Sequence, residues 1–376
     1  MFTNLTVNNF KCFSVPFLFE LRKVNVFTGY NGRGKSTVFQ ALLLIAQSLY
    51  DNRNLNDLMV NGIFCKLGRF EELLNHTTGN KTIHFVLTTD KEDKFKTIEL
   101  SYDEKTARKG KLSEIKIDGQ SYFEGRGSIV GEENSEEEKL GYYPKDVHKL
   151  FDNFQFVAAD RLGPTPYEEK NDLYDHNPIG NSGEFKLNVL AGNNDLKREL
   201  AAAISRIMDG GDMTMKGDEE QTDELLKLYF STLDGSHSVK SINSGFGYSY
   251  MLPILLSAMT MENGCLFVEN PEAHLHPCAQ SKLTQELIRI ALERNIQLFI
   301  ETHSEHVINA MRLCVLYEDA YRDFRHNDVS VYFFNKDMDI KKLEVHPNAQ
   351  MPEWPSGFFD QAERDAARIL KLGLLK

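Results

Sequence analysis

The segment Gly29-Tyr30-Asn31-Gly32-Arg33-Gly34-Lys35-Ser36 fits the pattern GxxxxGK[ST] in full, and few folds can carry that pattern. It needs a buried strand before it and a helix behind it. Residues 24–28 read as such a strand and residues 35–50 as such a helix. The glycines let successive backbone N–H groups turn toward phosphate oxygens, and the helix adds its positive N-terminal end. Lys35 is expected to reach the β- and γ-phosphates of a nucleotide, and the Ser36 hydroxyl to ligate Mg2+. Asn31, Gly32, Arg33, Gly34 and Thr37 complete the expected cradle.

Three further motifs follow in order. In Cys265-Leu266-Phe267-Val268-Glu269-Asn270-Pro271-Glu272, four apolar residues end in a carboxylate. A buried strand of this kind delivers Glu269 at its carboxyl end, where a phosphate-bound Mg2+ sits. A second strand over 296–300 leads into Glu301-Thr302-His303-Ser304, which sets the His303 imidazole beside the γ-phosphate. A lone histidine at a strand end is more often structural; its place after loop and acid favours the functional reading. Ser244-Gly245-Phe246-Gly247 precedes a helix over 248–261, and small residues at a helix N-terminus form an anion-binding surface. A plain helix cap explains that motif equally well, and only its place ahead of the Glu269 strand argues for more.

The remaining chain reads as an α/β protein with one change of character. From 51 to about 130 the pattern is β-rich, with strands over 82–88, 96–102 and 113–117. The basic stretch 105–116, with Lys105, Arg108, Lys109, Lys111 and Lys116, reads as a solvated hairpin. Residues 131–139 are acidic and loop-like. After a buried strand over 154–158, helices are expected over 184–190, 196–208 and 224–233, with a loop over 210–218. A helix over 277–293, another over 304–315, and strands over 329–334 and 340–345 close the fold.

Composition excludes several classes. No apolar run is long enough to span a bilayer, and residues 1–10 lack the layout of a signal peptide. The five cysteines stand singly with no CxxC, which disfavours a disulfide framework or a zinc site and fits a reducing, cytoplasmic setting. The net charge of −12 gives DNA binding no support, since counterion release rewards basic surfaces. A guanine-specifying Asn-Lys-x-Asp is lacking: Asn335-Lys336-Asp337-Met338 has methionine in the last place.

Taken in this order, the four elements resemble the ABC-type ATPase head of the RecF/SMC and OLD-like group. Leu5-Thr6-Val7-Asn8-Asn9-Phe10-Lys11 looks like that group's opening strand. Gly245-Phe246-Gly247-Tyr248-Ser249, Glu269 through Pro277, Glu301-Thr302-His303-Ser304-Glu305-His306 and the tail from Trp354 to Asp360 are similar to a bacterial subgroup of AAA-type ATPases. Leu67-Gly68-Arg69-Phe70 and Arg161-Leu162-Gly163-Pro164 also look family-like.

The resemblance implies a P-loop ATPase head of mixed sheet and flanking helices, with a β-rich insertion and a helical lobe. On that reading, 1–50 and 244–346 build the head, 51–160 the insertion, 161–243 the lobe and 347–376 a tail. It implies ATP and Mg2+ as ligands and a homodimer in which Ser244, Gly245 and Gly247 of one copy close over the γ-phosphate of the other. Several relatives are ATPase partners of separately encoded nucleases in anti-phage defence, the Septu ATPase among them, so a nuclease effector is expected. The alternative is a RecF-like repair ATPase that clamps DNA itself. ABC heads carry a glutamate immediately after the Walker B acid, and this chain has Asn270. An amide orients water but accepts no proton, so slow hydrolysis is expected, with Glu272 as a substitute base. His276 falls where the D-loop aspartate is expected, and 354–360 is a candidate docking patch, although such aromatic tails more often pack on their own chain.

Overall fold

The computed structural model describes residues 1–52, 54–90, 95–124, 144–171, 176–209, 212–216, 225–231, 237–317, 321, 324–355 and 357–373. The chain opens on β1 (Phe2–Asn8) and β2 (Phe17–Glu20), then enters β3 (Val24–Gly29) and α1 (Lys35–Asn52). Next come β4 (Asp57–Leu58), β5 (Thr82–Thr89), β6 (Thr97–Thr106), β7 (Lys109–Ile117) and β8 (Gln120–Glu124). The middle holds β9 (Phe154–Val157), β10 (Glu168–Glu169), α2 (Lys186–Leu190), α3 (Asn194–Ile207), β11 (Asp212–Lys216), β12 (Leu225–Ser231) and β13 (Ser238–Lys240). The last part alternates: α4 (Phe246–Thr260), β14 (Cys265–Glu269), α5 (Pro277–Glu293), β15 (Gln297–Thr302) and α6 (Glu305–Leu316). It ends with β16 (Val329–Phe334), β17 (Ile340–Leu343) and α7 (Gln361–Gly373).

A six-stranded sheet in the order β17-β16-β3-β15-β14-β9 forms the centre, parallel except at its β17 edge. Side chains alternate across each strand, and here the two faces differ in kind. Val24, Val26, Leu266, Val268, Leu298 and Ile300 meet the helices α3 to α6 in one aliphatic core. Phe27, Phe267, Phe299, Tyr332 and Phe334 enter a second, aromatic core with α1 and the N-terminal strands. Phe267 stacks on Phe299 at 4.5 Å and meets Phe39 edge-on at 5.4 Å. Both faces are covered, as a parallel sheet requires.

Strands β4 to β8 join the opening hairpin in one antiparallel sheet ordered β2-β1-β5-β6-β7-β4, with β8 on β7. The β-rich segment is therefore a continuation of the N-terminus. Gln297, buried at the start of β15, stitches this sheet to the centre. Its Oε1 accepts from the Phe2 N–H at 3.0 Å, and its Nε2 donates to the Phe2 and Arg22 carbonyls at 2.7 and 2.9 Å. The basic stretch 105–116 spans the β6–β7 turn, as its reading as a hairpin anticipates.

Two expectations fail in the middle of the chain. Of the helix expected over 224–233, the described residues 225–231 form a strand instead: β12 pairs with β11 and β13. Leu226, Leu228 and Phe230 are buried at alternate positions, a period of two that a run so rich in leucine hides. The loop expected over 210–218 contains β11, the partner that decides the matter. The acidic stretch 131–139 lies outside the described residues.

Gln297→Leu removes all three hydrogen bonds that the side chain makes to the Phe2 and Arg22 backbone. We expect it to destabilise the chain by about 2–3 kcal/mol in denaturant unfolding, although leucine fills similar space.

Candidate functional site

The phosphate-loop pattern forms a left-handed turn at the carboxyl end of β3. Gly29, Gly32 and Gly34 have φ of 121°, 69° and 99°. Two of them are also fixed by space, because a Cβ on Gly29 would sit 2.3 Å from the Phe334 carbonyl and one on Gly34 would sit 2.4 Å from Cys12 Sγ. Asn31 and Gly32 are exposed at the rim, and Thr37 is buried behind the loop. Arg33 keeps its Nε buried without a hydrogen-bond partner.

Lys35 is only 3% exposed. Its ammonium donates to the carbonyls of Tyr30 and Gly29 at 2.8 and 3.3 Å and lies 3.9 Å from Glu301 Oε1. Burial pulls its pKa below the ordinary lysine value, and the Glu301 charge opposes that. Ser36 Oγ donates to the other Glu301 oxygen at 2.6 Å. Glu301 was not singled out from the sequence, yet it contacts both functional side chains of the loop.

The register of the parallel strands explains the convergence. Glu301 on β15 pairs with Phe27 on β3 and with Glu269 on β14, so two carboxylates stand side by side next to the loop. Burial, then the Glu301 charge, pushes the Glu269 carboxyl up to about 7, while an N–H from Ala159 at 3.1 Å opposes it. Burial likewise raises Glu301, against the Ser36 hydrogen bond and the Lys35 charge.

Arg161, buried and also missed as a site residue, clasps the end of β14. Its Nη1 donates to the carbonyls of Glu269 and Ala158 at 2.7 and 3.0 Å, and its Nη2 to that of Asn270 at 2.6 Å. Burial lowers its pKa to about 10, with Glu272 the leading opposing charge. The only early hint was its family-like Arg-Leu-Gly-Pro run.

Asn270 itself adopts φ 43° and donates its N–H to the Glu301 carbonyl at 2.8 Å, which asparagine tolerates better than most residues. Its side-chain Oδ1 is buried without a partner. Both oxygens of Glu272 are engaged: one accepts from the His303 N–H at 2.7 Å and the other from Thr302 Oγ1 at 2.8 Å. Glu272 therefore positions the His303 turn. His303 itself is exposed; partial desolvation and then the Lys35 charge lower its pKa.

The remaining motif, Ser244-Gly245-Phe246-Gly247, lies apart. Gly245 precedes α4 in extended conformation with φ −61° and ψ 147°, and Phe246 is 56% exposed. No hydrogen bond among the described residues joins this motif to the loop of its own chain. Ser244 Oγ donates to the Ser241 carbonyl at 2.6 Å, and a Cβ on Gly247 would come within 3.0 Å of Leu275. His276 caps α5, its Nδ1 accepting from the Cys278 N–H at 3.3 Å, ahead of Pro277 at the first helical turn.

The tail packs on its own chain. Phe358 is buried between Phe333 at 5.3 Å and Trp354 at 4.4 Å, and Gly357 closes over Tyr30. Ser356 lies outside the described residues. Tail and loop together border an open cleft of about 350 Å³, lined by Tyr30, Asn31, His303, Phe359, Asp360 and Arg364.

Ser36, Glu269 and Glu301 offer only hard oxygen donors, which suits Mg2+, an ion that keeps several waters. Among the described residues, no group of three or more His, Cys, Asp or Glu forms an all-protein metal cage. The glycine loop, the lysine and this donor set together fit a magnesium–triphosphate ligand.

Comparisons with known proteins agree with the geometry. Residues 4–233 match the family described as AAA domain, more than half of the chain. Residues 186–308 match the AAA ATPase domain, and 325–369 match a protein of unknown function (DUF3696). The fold is that of an SMC head. It resembles the SMC head bound to the C-terminal winged-helix domain of ScpA with a TM-score of 0.55, at 12% identity over 92% of this chain and 98% of that one. The Pyrococcus furiosus SMC head with an extended coiled coil, bound to the C-terminal domain of ScpA, matches with a TM-score of 0.54, at 10% identity over 98% and 99%. A search of curated proteins returned no match. Fold and sequence thus define an AAA-type ATPase class on the fold of an SMC head. The chain belongs to the AAA domain family. No described helix is long and apolar enough to cross a membrane.

Glu269 binds its proton more tightly in the folded state than an ordinary glutamate, whose pKa is 4.5, does. Its contribution therefore favours folding at low pH and is lost as pH rises from about 4.5 through about 7. In metal- and nucleotide-free protein, Glu269→Gln should flatten the pH dependence of unfolding. At about pH 8 it should be the more stable form by roughly 1–3 kcal/mol.

Proposed function

We propose that the chain is a cytoplasmic Mg2+·ATP-dependent switch whose nucleotide site is completed by a second copy. The observation that carries this reading is the convergence of Lys35, Ser36, Glu269 and Glu301 below a glycine loop. Lys35 and the loop N–H groups would hold the β- and γ-phosphates, Asn31, Gly32, Arg33, Gly34 and Thr37 would shape the cradle, and Ser36 and Glu269 would hold Mg2+. The cation supplies charge neutralisation when bound.

Ser244, Gly245 and Gly247 would close over the γ-phosphate of the other copy. The exposure of Gly245 and Phe246, the partial exposure of Ser244, and the lack among the described residues of any hydrogen bond from this motif to its own loop support this assignment, with the buried Gly247 packing the start of α4 beneath them. Asn270 would orient a water, with His303 as the sensing group and Glu272 holding it in place. Without a base after Glu269, hydrolysis is slow, and the loss typically amounts to about a hundredfold to ten-thousandfold. ATP then acts chiefly as a dimerising ligand. By resemblance to OLD-like and Septu-like ATPases, the closed dimer gates a separately encoded nuclease in anti-phage defence.

Light scattering with and without Mg2+·ATP tests the switch. The mass should double with nucleotide, and Lys35→Ala should stay monomeric with ATP affinity lowered about a hundredfold or more. A wild-type chain that binds ATP and remains monomeric would remove the split site. Asn270→Glu should raise steady-state hydrolysis about ten- to a hundredfold in a phosphate-release assay.

A further inference from the structure

We propose that Glu301 is a positioning residue that couples nucleotide entry to the cation: its carboxylate holds Lys35 and Ser36 in the loop and repels a triphosphate that arrives without magnesium. This rests on the Mg2+·ATP reading above and adds a residue that reading leaves without a role of its own. Glu301 is only 8% exposed, and its oxygens take a hydrogen bond from Ser36 Oγ at 2.6 Å and an ion pair with Lys35 at 3.9 Å. It is the penultimate residue of β15, and parallel partners fix its backbone on both sides, Phe27 and Glu269. A carboxylate on such a strand has little room to swing away.

Any phosphate that reaches Lys35 must therefore lie within a few ångström of Glu301, with Glu269 next to it. One pair of like charges at about 5 Å, at an effective dielectric of about 20, corresponds to a penalty of more than a hundredfold in affinity. A divalent cation held by Ser36 and Glu269 would supply the positive charge that offsets this repulsion. The Ser36 hydroxyl, held by Glu301 in the free protein, is then available as an oxygen donor to that cation. Glutamine at 301 keeps an oxygen to accept from Ser36 and removes the charge. Aspartate keeps the charge.

The test is equilibrium titration of the full chain with ATP, once in excess Mg2+ and once in excess EDTA, for wild type, E301Q and E301D. Wild type should bind at least about a hundredfold more tightly with magnesium. In E301Q that ratio should fall about tenfold or more, mainly because ATP binds more tightly in EDTA; E301D should keep most of the wild-type ratio. E301Q with an unchanged ratio, or with weaker binding in EDTA than wild type, overturns the role of Glu301 alone. Wild type that takes up no ATP even with magnesium overturns the nucleotide reading as well. Thermal melts check that each variant is folded, and E301A replaces E301Q in the same comparison should the amide variant melt too early.

Discussion

A lysine ammonium buried at the open end of a parallel sheet is the constraint on which the site depends. A charge that is 3% exposed is costly unless its hydrogen bonds and counter-charge are in place. Two loop carbonyls and Glu301 meet that demand, and each comes from an element whose position is already fixed. The loop is thus shaped before any ligand arrives. That pre-organisation is what a phosphate site requires, because little ordering is left to oppose binding.

The sheet beneath gives this arrangement its rigidity. Its aliphatic face packs against the helices and its aromatic face against α1 and the N-terminal sheet, so neither face can slide without opening a core. Gln297 ties the opening strand to the same sheet through the Phe2 backbone. Because β3, β15 and β14 are in register, Phe27, Glu301 and Glu269 lie level with one another, two residues before Gly29 opens the loop. Arg161 then pins the chain where it leaves β14. The chemistry is set by strand register more than by any single motif.

Much of this was legible in the sequence because local pattern determines it. The glycine loop, the apolar run into Glu269 and the strand into His303 each state their own structure. Strand β12 reads as helix from the sequence because the apolar run Leu225, Leu226, Leu228, Tyr229 and Phe230 satisfies both helix and strand periods, and only pairing with β11 decides between them. Helix α7 was not anticipated; all its described residues are exposed, so no buried face marks it. Glu301 and Arg161 were in view as letters but not as site residues. What gives them meaning is a neighbour across the sheet, and spacing along one chain carries no such information. Glu272, read as a substitute base, holds the His303 turn with both oxygens, again through a contact thirty residues away.

The central claim is that one chain holds the triphosphate and another closes it. A structure determined with Mg2+ and a non-hydrolysable ATP analogue tests this most directly. The expected result is a two-fold dimer in which Ser244 and Gly245 of one copy lie within hydrogen-bond distance of the γ-phosphate held by Lys35 of the other. A nucleotide seated in the same loop but open to solvent, with the two motifs unpaired across copies, would contradict it.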